Sequence, residues 1–345
     1  MKQLIVVCAF LLLVLASAVA ATPQRVIIDT DPGIDDAMAI LLALNSPELK
    51  VEALTVVPGN VDGKQGLENA LKIVSLANRC DVTVAGGAQH PLNQKLITAQ
   101  YWHGPNGLAG VELPASKCKV DSRFGPDLII EVVHKYPHEI TLIPVGPLTN
   151  IALAVSKDPS IVPLVKDIVI MGGSITGGNV DGAAEANIYN DPEAASIVFK
   201  AGWMVTMIGS DVGEKTLMMR SHLAELQSEH GPESDFIAKL ADYYLTRSEK
   251  SGYQGAAMYD PLAVATVINP ALVTLKDMHV DVETKGEFTR GETVANRMGY
   301  DEKNVLHGDH YEIDGLTPLT PNARVCLASN PEGFLKLFVS RLKGR

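Results

Sequence analysis

Four carboxylates crowd eight positions near the start of the chain: Asp29, Asp31, Asp35 and Asp36, in the stretch VIIDTDPGIDDAMAI from Val26 to Ile40. An apolar strand-like run leads in and an apolar helix-like run leads out. The charge therefore stands beside core, where an unpaired carboxylate is costly. An aspartate at a helix start can cap free backbone N–H groups and suits the helix dipole. That accounts for Asp35 or Asp36, but not for Asp29 and Asp31 at the strand end. Acids this close repel one another unless some are protonated or a cation sits among them. Oxygen-only ligands suit a hard ion such as calcium or magnesium. Cys and His are absent from the cluster, which disfavours zinc, and the spacing DPGIDD is not that of an EF-hand loop. A D-x-D strand end also occurs in phosphotransferases with a nucleophilic aspartate. That pattern wants a small or hydroxyl residue after the second Asp and a separate lysine, whereas Pro32-Gly33 and two more acids follow here. No P-loop, G-x-G-x-x-G or G-x-S-x-G stands at a strand end.

The elements that must position these acids alternate. RVIIDTD, KVEALTVVPGN, DVTVAGG, EITLIPVGP, KDIVIMGG and WMVTMIGSD read as buried strands, with amphipathic helical segments between them. That rhythm indicates βαβ units, an α/β class fold and a mostly parallel sheet. No linker, charge run or repeat divides the chain, so one domain is expected. In open parallel sheets ligands bind beyond the carboxyl ends of the strands. Those ends read DTDPGIDD, VPGN, PVGPLTN, MGGS and GSD, all rich in Asp, Asn and Gly. Two parts break the rhythm. Ala88 to Phe124 is a long Gly/Pro-punctuated stretch containing QYWHGPNGLAG, readable as a lid over a site or as a loop excursion. Ser221 to Gly252 is helical and polar. MHVDVETKGEFTRGETV then reads as a hairpin, and NARVCLAS and PEGFLKLFVSRLKG as a closing strand and helix.

The first residues stand apart. Lys2, the apolar run Leu4 to Leu15 and SAVAA form a secretory signal peptide pattern over residues 1–21, leaving a mature domain over 22–345. The run is too short to span a membrane. Cys8 lies inside the run and not at the cleavage point, so a lipid-anchored start is not indicated. A secreted or periplasmic location is expected, with no membrane attachment after cleavage. Loss of Lys2 takes the net charge from −11 to −12, and an acidic chain without basic clusters is a poor nucleic-acid binder. Cys80, Cys118 and Cys326 remain. Their odd count argues against a disulfide framework, while a single Cys80–Cys118 bridge is compatible with an oxidising compartment.

Taken together, DTDPGIDDAMAILLAL, VVPGN, IPVGPLTNIALA, IVIMGG, GGNVDGAAEANIYNDPEAA and YDPLAVA resemble the inosine–uridine-type nucleoside hydrolase family, in order and spacing, over nearly the whole mature chain. The resemblance implies a single open α/β domain with a mixed, mainly parallel central sheet flanked by helices. It implies hydrolysis of ribonucleosides to ribose and free base by a homodimer or homotetramer, with Ca²⁺ at the bottom of the pocket. Carried over by position, it assigns Asp31, Asp36, Asp260 and the Val145 carbonyl to the metal, with Asp31 also the base for a calcium-bound water. Asp35 and Asn60 would hold ribose hydroxyls. Met171, Asn179, Glu185 and Asn187 would line the rest of the sugar pocket, with Asn179 and Glu185 toward the 5′-hydroxyl. Asp29 would orient its neighbours. The chemistry is coherent: cleavage of a ribose–base bond passes through an oxocarbenium-like state, which anionic side chains stabilise.

Departures from the family pattern concern the leaving base. Many members carry a histidine before the last aspartate ligand, where this chain has Tyr259, a neutral phenol and a weak acid. Tyr259 could hydrogen-bond the base, stack on it or simply pack. His103 matches a loop histidine near the base pocket, and Tyr101 and Trp102 beside it could help close the site; a solvated loop histidine is the plainer reading. Ala186 stands where the family usually has an aromatic. HGDHYEID, His307 to Asp314, has two His and several acids that suggest a metal, but before the last strand it reads as a solvated loop, and Met218-Met219 reads as filler. A secreted nucleoside- or sugar-binding protein with a calcium pocket and little catalysis is the competing reading, favoured by the missing histidine.

Overall fold

The structure is a computed structural model, and it describes residues 22–295 and 319–345. The apolar run Leu4–Leu15, Cys8 and the HGDHYEID stretch lie outside the described residues. Among the described residues twelve strands form in chain order: β1 (Gln24–Thr30), β2 (Leu49–Val56), β3 (Thr83–Gly86), β4 (Ile140–Pro144), β5 (Asp167–Met171), β6 (Val205–Ile208), β7 (Leu217–Met218), β8 (Ala256–Ala257), β9 (Val273–Met278), β10 (Val280–Val282), β11 (Thr293–Ala295) and β12 (Ala323–Ser329). Eight of them make one sheet in the order β3-β2-β1-β4-β5-β6-β12-β9. Every neighbouring pair is parallel except β12 with β9, so the sheet is mixed and mainly parallel, as the alternation predicts.

The sheet is apolar on both faces because helices cover both. In β1, Val26 and Ile28 face one core while Ile27 faces the other. The first core is closed by helices Ile34–Leu44, Gly63–Leu76, Pro232–Lys250, Asp260–Ile268 and Pro331–Leu342. The second is closed by Gly125–Lys135, Thr149–Lys157 and Pro192–Phe199. Helix Ile34–Leu44 is buried along its whole length. A helix apolar on nearly every side belongs in the core, and it carries Asp35 and Asp36 in with it. No helix among the described residues is long and apolar enough to cross a membrane.

Strand β1 lies between β2 and β4, where the winding of the sheet reverses. Loops leaving such a point diverge and open a crevice. The strand β9 is not among the elements read from the sequence. It follows Pro270 and is half exposed at the sheet edge, so it lacks the continuous apolar run that marks its parallel neighbours. The hairpin is real but small: β10 pairs antiparallel with β11. Cys80 and Cys118 are joined in a disulfide, with Cα atoms 5.0 Å apart, and Cys326 is buried alone. The odd cysteine count thus reflects one bridge and one core thiol. The bridge ties the long stretch after β3 back to the end of the preceding helix. Within that stretch Gln100–His103 forms a short helix and Asp121 bridges to β3, so it is an anchored cover over the crevice.

Candidate active site

The acids come together at the β1 crevice. Asp31 leaves the end of β1 between two glycine-bearing turns. A β-carbon on Gly59 would overlap its Oδ2, and one on Gly146 would stand 2.7 Å from its Oδ1. The VPGN and PVGP strand ends therefore owe their glycines to the space Asp31 occupies. Asp31 Oδ2 accepts the Asn60 N–H at 2.7 Å, while Oδ1 is buried without a partner. Asp36 is pinned from four sides. Its Oδ1 accepts Thr30 Oγ1 at 2.6 Å and the Asp31 N–H at 3.1 Å; its Oδ2 accepts the Gly33 N–H and Asn60 Nδ2, both at 2.9 Å. Asp29 lies deeper, accepting Thr55 Oγ1 at 2.5 Å and Asn150 Nδ2 at 2.8 Å. The asparagine of PVGPLTN thus braces the end of β1.

Asp260 arrives from the far end of the chain, at the start of helix Asp260–Ile268. Asp35, Asp36 and Asp260 place carboxylate oxygens within 4.8 Å of one another, and all three are buried. Asp31 adjoins the group, since Asp36 and Asp35 both perturb it. Burial, more than any neighbour, pushes Asp35 up to about 8 and Asp29 to about 7, and raises Asp31 and Asp260 well above the usual carboxylate range. Mutual repulsion adds to this for Asp31, Asp35 and Asp260. Among the described residues no lysine or arginine forms an ion pair with any of these acids. Asp31 and Asp35 each also have a buried oxygen without a hydrogen bond. Unpaired oxygens, an all-oxygen donor set and no internal cation together fit a hard divalent ion.

Above the acids lies a cleft of about 240 Å³. Its walls include Asp35, Asn60, Val145, Met171, Asn179, Glu185, Asn187, His103, Tyr259 and Asp260, while Asp31 and Asp36 lie beneath. Asn187 Nδ2 reaches the Val145 carbonyl at 2.8 Å and the Met171 carbonyl at 3.1 Å, so it joins the ends of β4 and β5. Glu185 caps helix Ala186–Asn190 and also accepts the Gly173 N–H at 2.9 Å. Burial lifts it to about 7. Asn179 accepts the Ala186 N–H at 2.9 Å and shares the cleft wall with Tyr259. Asp211 is buried, accepts the Ile175 N–H at 3.3 Å and does not line the cleft.

His103 is buried, against the plainer reading of a solvated loop residue. Its Nδ1 accepts the Ile34 N–H at 3.1 Å and lies 3.8 Å from Asp35 Oδ1. Burial depresses its pKa to about 4. The ring is therefore neutral, and because Nδ1 is an acceptor the proton sits on Nε2. Tyr259 moves the opposite way: burial and then the Glu214 carboxylate raise its pKa, so the phenol stays protonated.

Several wall residues were not singled out from the sequence. Tyr244 and Ser248 are one turn apart on helix Pro232–Lys250, and Tyr244 meets Trp102 edge-on at 6.2 Å. Glu214, Leu217, Tyr253 and Ala257 complete that side. The only signal for Tyr244 and Ser248 is their place on the buried stripe with Leu240 and Ala241, which core packing alone explains.

Residues 26–336 match the sequence profile of a family described as "Inosine-uridine preferring nucleoside hydrolase". A curated relative from Enterobacter sp. (strain 638), the pyrimidine-specific ribonucleoside hydrolase RihA, is 37% identical over 319 residues, covering 92% of this chain and 97% of its own. Among solved structures, a plant nucleoside hydrolase, the PpNRh1 enzyme, superposes with a TM-score of 0.84 at 35% identity, covering 94% of this chain and all of its own. A purine-preferring ribonucleoside hydrolase from Gardnerella vaginalis gives a TM-score of 0.83 at 34% identity, covering 93% and 98%.

Proposed function

The chain belongs to the inosine–uridine preferring nucleoside hydrolase family and is an N-ribohydrolase, and from that premise we propose that it splits ribonucleosides with Ca²⁺ at the acid cluster and Asp31 as the base. The observation that carries this reading is the convergence of Asp35, Asp36 and Asp260 beside an Asp31 oxygen with no partner. Asp31, Asp36, Asp260 and the Val145 carbonyl would hold the ion, and Asp35 either joins them or grips ribose hydroxyls. A divalent cation bound there would hold the carboxylates ionised and would acidify the attacking water.

The chain's own groups do the rest. Asp31, with Oδ2 held by Asn60 and Oδ1 free, takes the proton from the water attacking C1′. The buried carboxylates stabilise the positive charge that develops on the ribosyl ring. Asn60, Asn179, Glu185 and Asn187 orient the sugar. At the other wall, His103 offers an Nε2–H and Tyr259 a phenolic O–H to the departing base. Both are neutral at pH 7, His103 because burial lowers its pKa and Tyr259 because burial raises its own, so they act as hydrogen-bond donors.

Export to a periplasmic or extracellular space completes the proposal. It is supported by the Leu4–Leu15 leader and by the Cys80–Cys118 bridge, which persists in oxidising compartments. The relatives point both ways on the base, toward pyrimidines in one and purines in another. The test is ribose release from inosine, uridine, adenosine, guanosine and cytidine, with and without chelator. Release that stops on chelation and returns with Ca²⁺ is expected. Binding without release from any of the five would overturn the proposal.

A further inference from the structure

The turn Ser210–Gly213 after β6 holds a glycine that its backbone does not require. Gly213 is helical, with no positive φ. What excludes a side chain there is Tyr259. A β-carbon on Gly213 would overlap Cδ1 of the Tyr259 ring, and would lie 2.9 Å from Cε1 and 3.3 Å from Cγ. The ring has no easy retreat. Its chain neighbours are held in register with the segment after the turn by the β7–β8 pairing and by the Met258 N–H to the Thr216 carbonyl at 3.0 Å. One side of the ring rests on Gly213 and the ring also lines the cleft.

We propose that Gly213 is a positioning residue for Tyr259. The absent β-carbon lets the phenol ring seat against the Ser210–Gly213 turn, and that seat fixes where the ring meets the nucleobase. This inference rests on the proposed function for its assignment of the Tyr259 wall to the base. A side chain at position 213 pushes the ring into the cleft, so the base loses its place while the ribose floor is untouched.

The test is a double-mutant cycle on the full mature chain: parent, Gly213→Ala, Tyr259→Ala and both together. Misplacement on the scale of 1 Å costs up to about 100-fold in rate, so Gly213→Ala should lower kcat/KM for nucleosides by about 10- to 100-fold. Free ribose, which needs only the floor, should inhibit Gly213→Ala and parent with the same Ki. The double variant should match Tyr259→Ala within about twofold, because the two changes act through one ring. Additive losses, or a Ki for ribose that worsens in step with KM, would overturn the proposal. Thermal unfolding of the four proteins is an independent reading. Gly213→Ala should lower the melting temperature with Tyr259 present. In the Tyr259→Ala background it should be neutral or stabilising, since alanine suits a helical turn better than glycine. Equal destabilisation in both backgrounds would sink the pairing. Absence of ribose release by the parent would count against the proposed function, and the unfolding cycle would still decide the pair.

Discussion

Asp31 and His103 differ in what holds them, and each makes its own prediction. Asp31 has one oxygen fixed by a backbone N–H and the other free, in a space two glycines leave open. Asp31→Asn keeps the size and loses the proton acceptor. Ribose release should fall by at least the roughly 10²- to 10⁴-fold that a positioned base supplies, with the unfolding temperature in chelator held or raised because one buried charge is gone. A variant with parental turnover would remove Asp31 from the chemistry. His103 is fixed through Nδ1 by the Ile34 N–H. Nitrogen NMR at pH 7 should show a neutral ring protonated at Nε2. A doubly protonated ring there would refute the donor role as stated, because it would break the Ile34 hydrogen bond. The acid cluster was legible in the sequence because repulsion among Asp29, Asp31, Asp35 and Asp36 demands an explanation on any fold. Asp260 was reached only through the family resemblance, since it stands 224 positions after Asp36. Nothing in DPLAVA alone tells a ligand from a helix-start aspartate.

At the scale of elements, the parallel strands were readable because burial on both faces leaves continuous apolar runs, as in RVIIDTD and EITLIP. Edge and antiparallel pieces such as β9, β7 and β8 carry no such mark. The role of helix Pro232–Lys250 was hidden for a related reason: Tyr244 and Ser248 serve core and cleft from one buried stripe. The stretch between β3 and helix Gly125–Lys135 could have been a lid or an excursion, and its anchors decide the matter. Cys118 is bonded to Cys80, Ser116 Oγ reaches the Leu71 carbonyl at 2.8 Å, and the Asp121 N–H reaches the Val84 carbonyl at 2.8 Å. Replacing both Cys80 and Cys118 with serine frees a loop closed over 38 residues. Chain entropy puts the loss of stability at up to about 4 kcal/mol. The hydrogen bonds on either side should still hold Trp102 and His103 in place, so ribose release at room temperature should stay near parental. A large loss of activity in folded protein would mean the bridge shapes the cleft directly.

For the molecule as a whole, the acid cluster couples fold, metal and pH. The buried acids have folded pKa values above their unfolded 3.8 to 4.5: about 7 for Asp29 and Glu185, about 8 for Asp35, and well above the usual range for Asp31 and Asp260. A carboxyl raised on folding favours the native state while protonated. That stability is fully present below the unfolded value and is lost as pH climbs through the folded one. His103 acts in a lower window, because its fall from 6.5 to about 4 on folding weakens the protein as pH drops below 6.5. Above pH 6.5 these acids set a downward slope. In chelator, the melting temperature should therefore fall steadily from pH 6.5 to beyond 8. On the proposed function excess Ca²⁺ would bind the ionised cluster in the native state only, so it should raise the melting temperature and flatten that slope. The gain from Ca²⁺ should be larger at pH 8 than at pH 6.5, because protons compete for the same oxygens at the lower pH. A chelated protein with a flat profile, or a calcium effect independent of pH, would show that these carboxylates are neither strained by burial nor the seat of the ion.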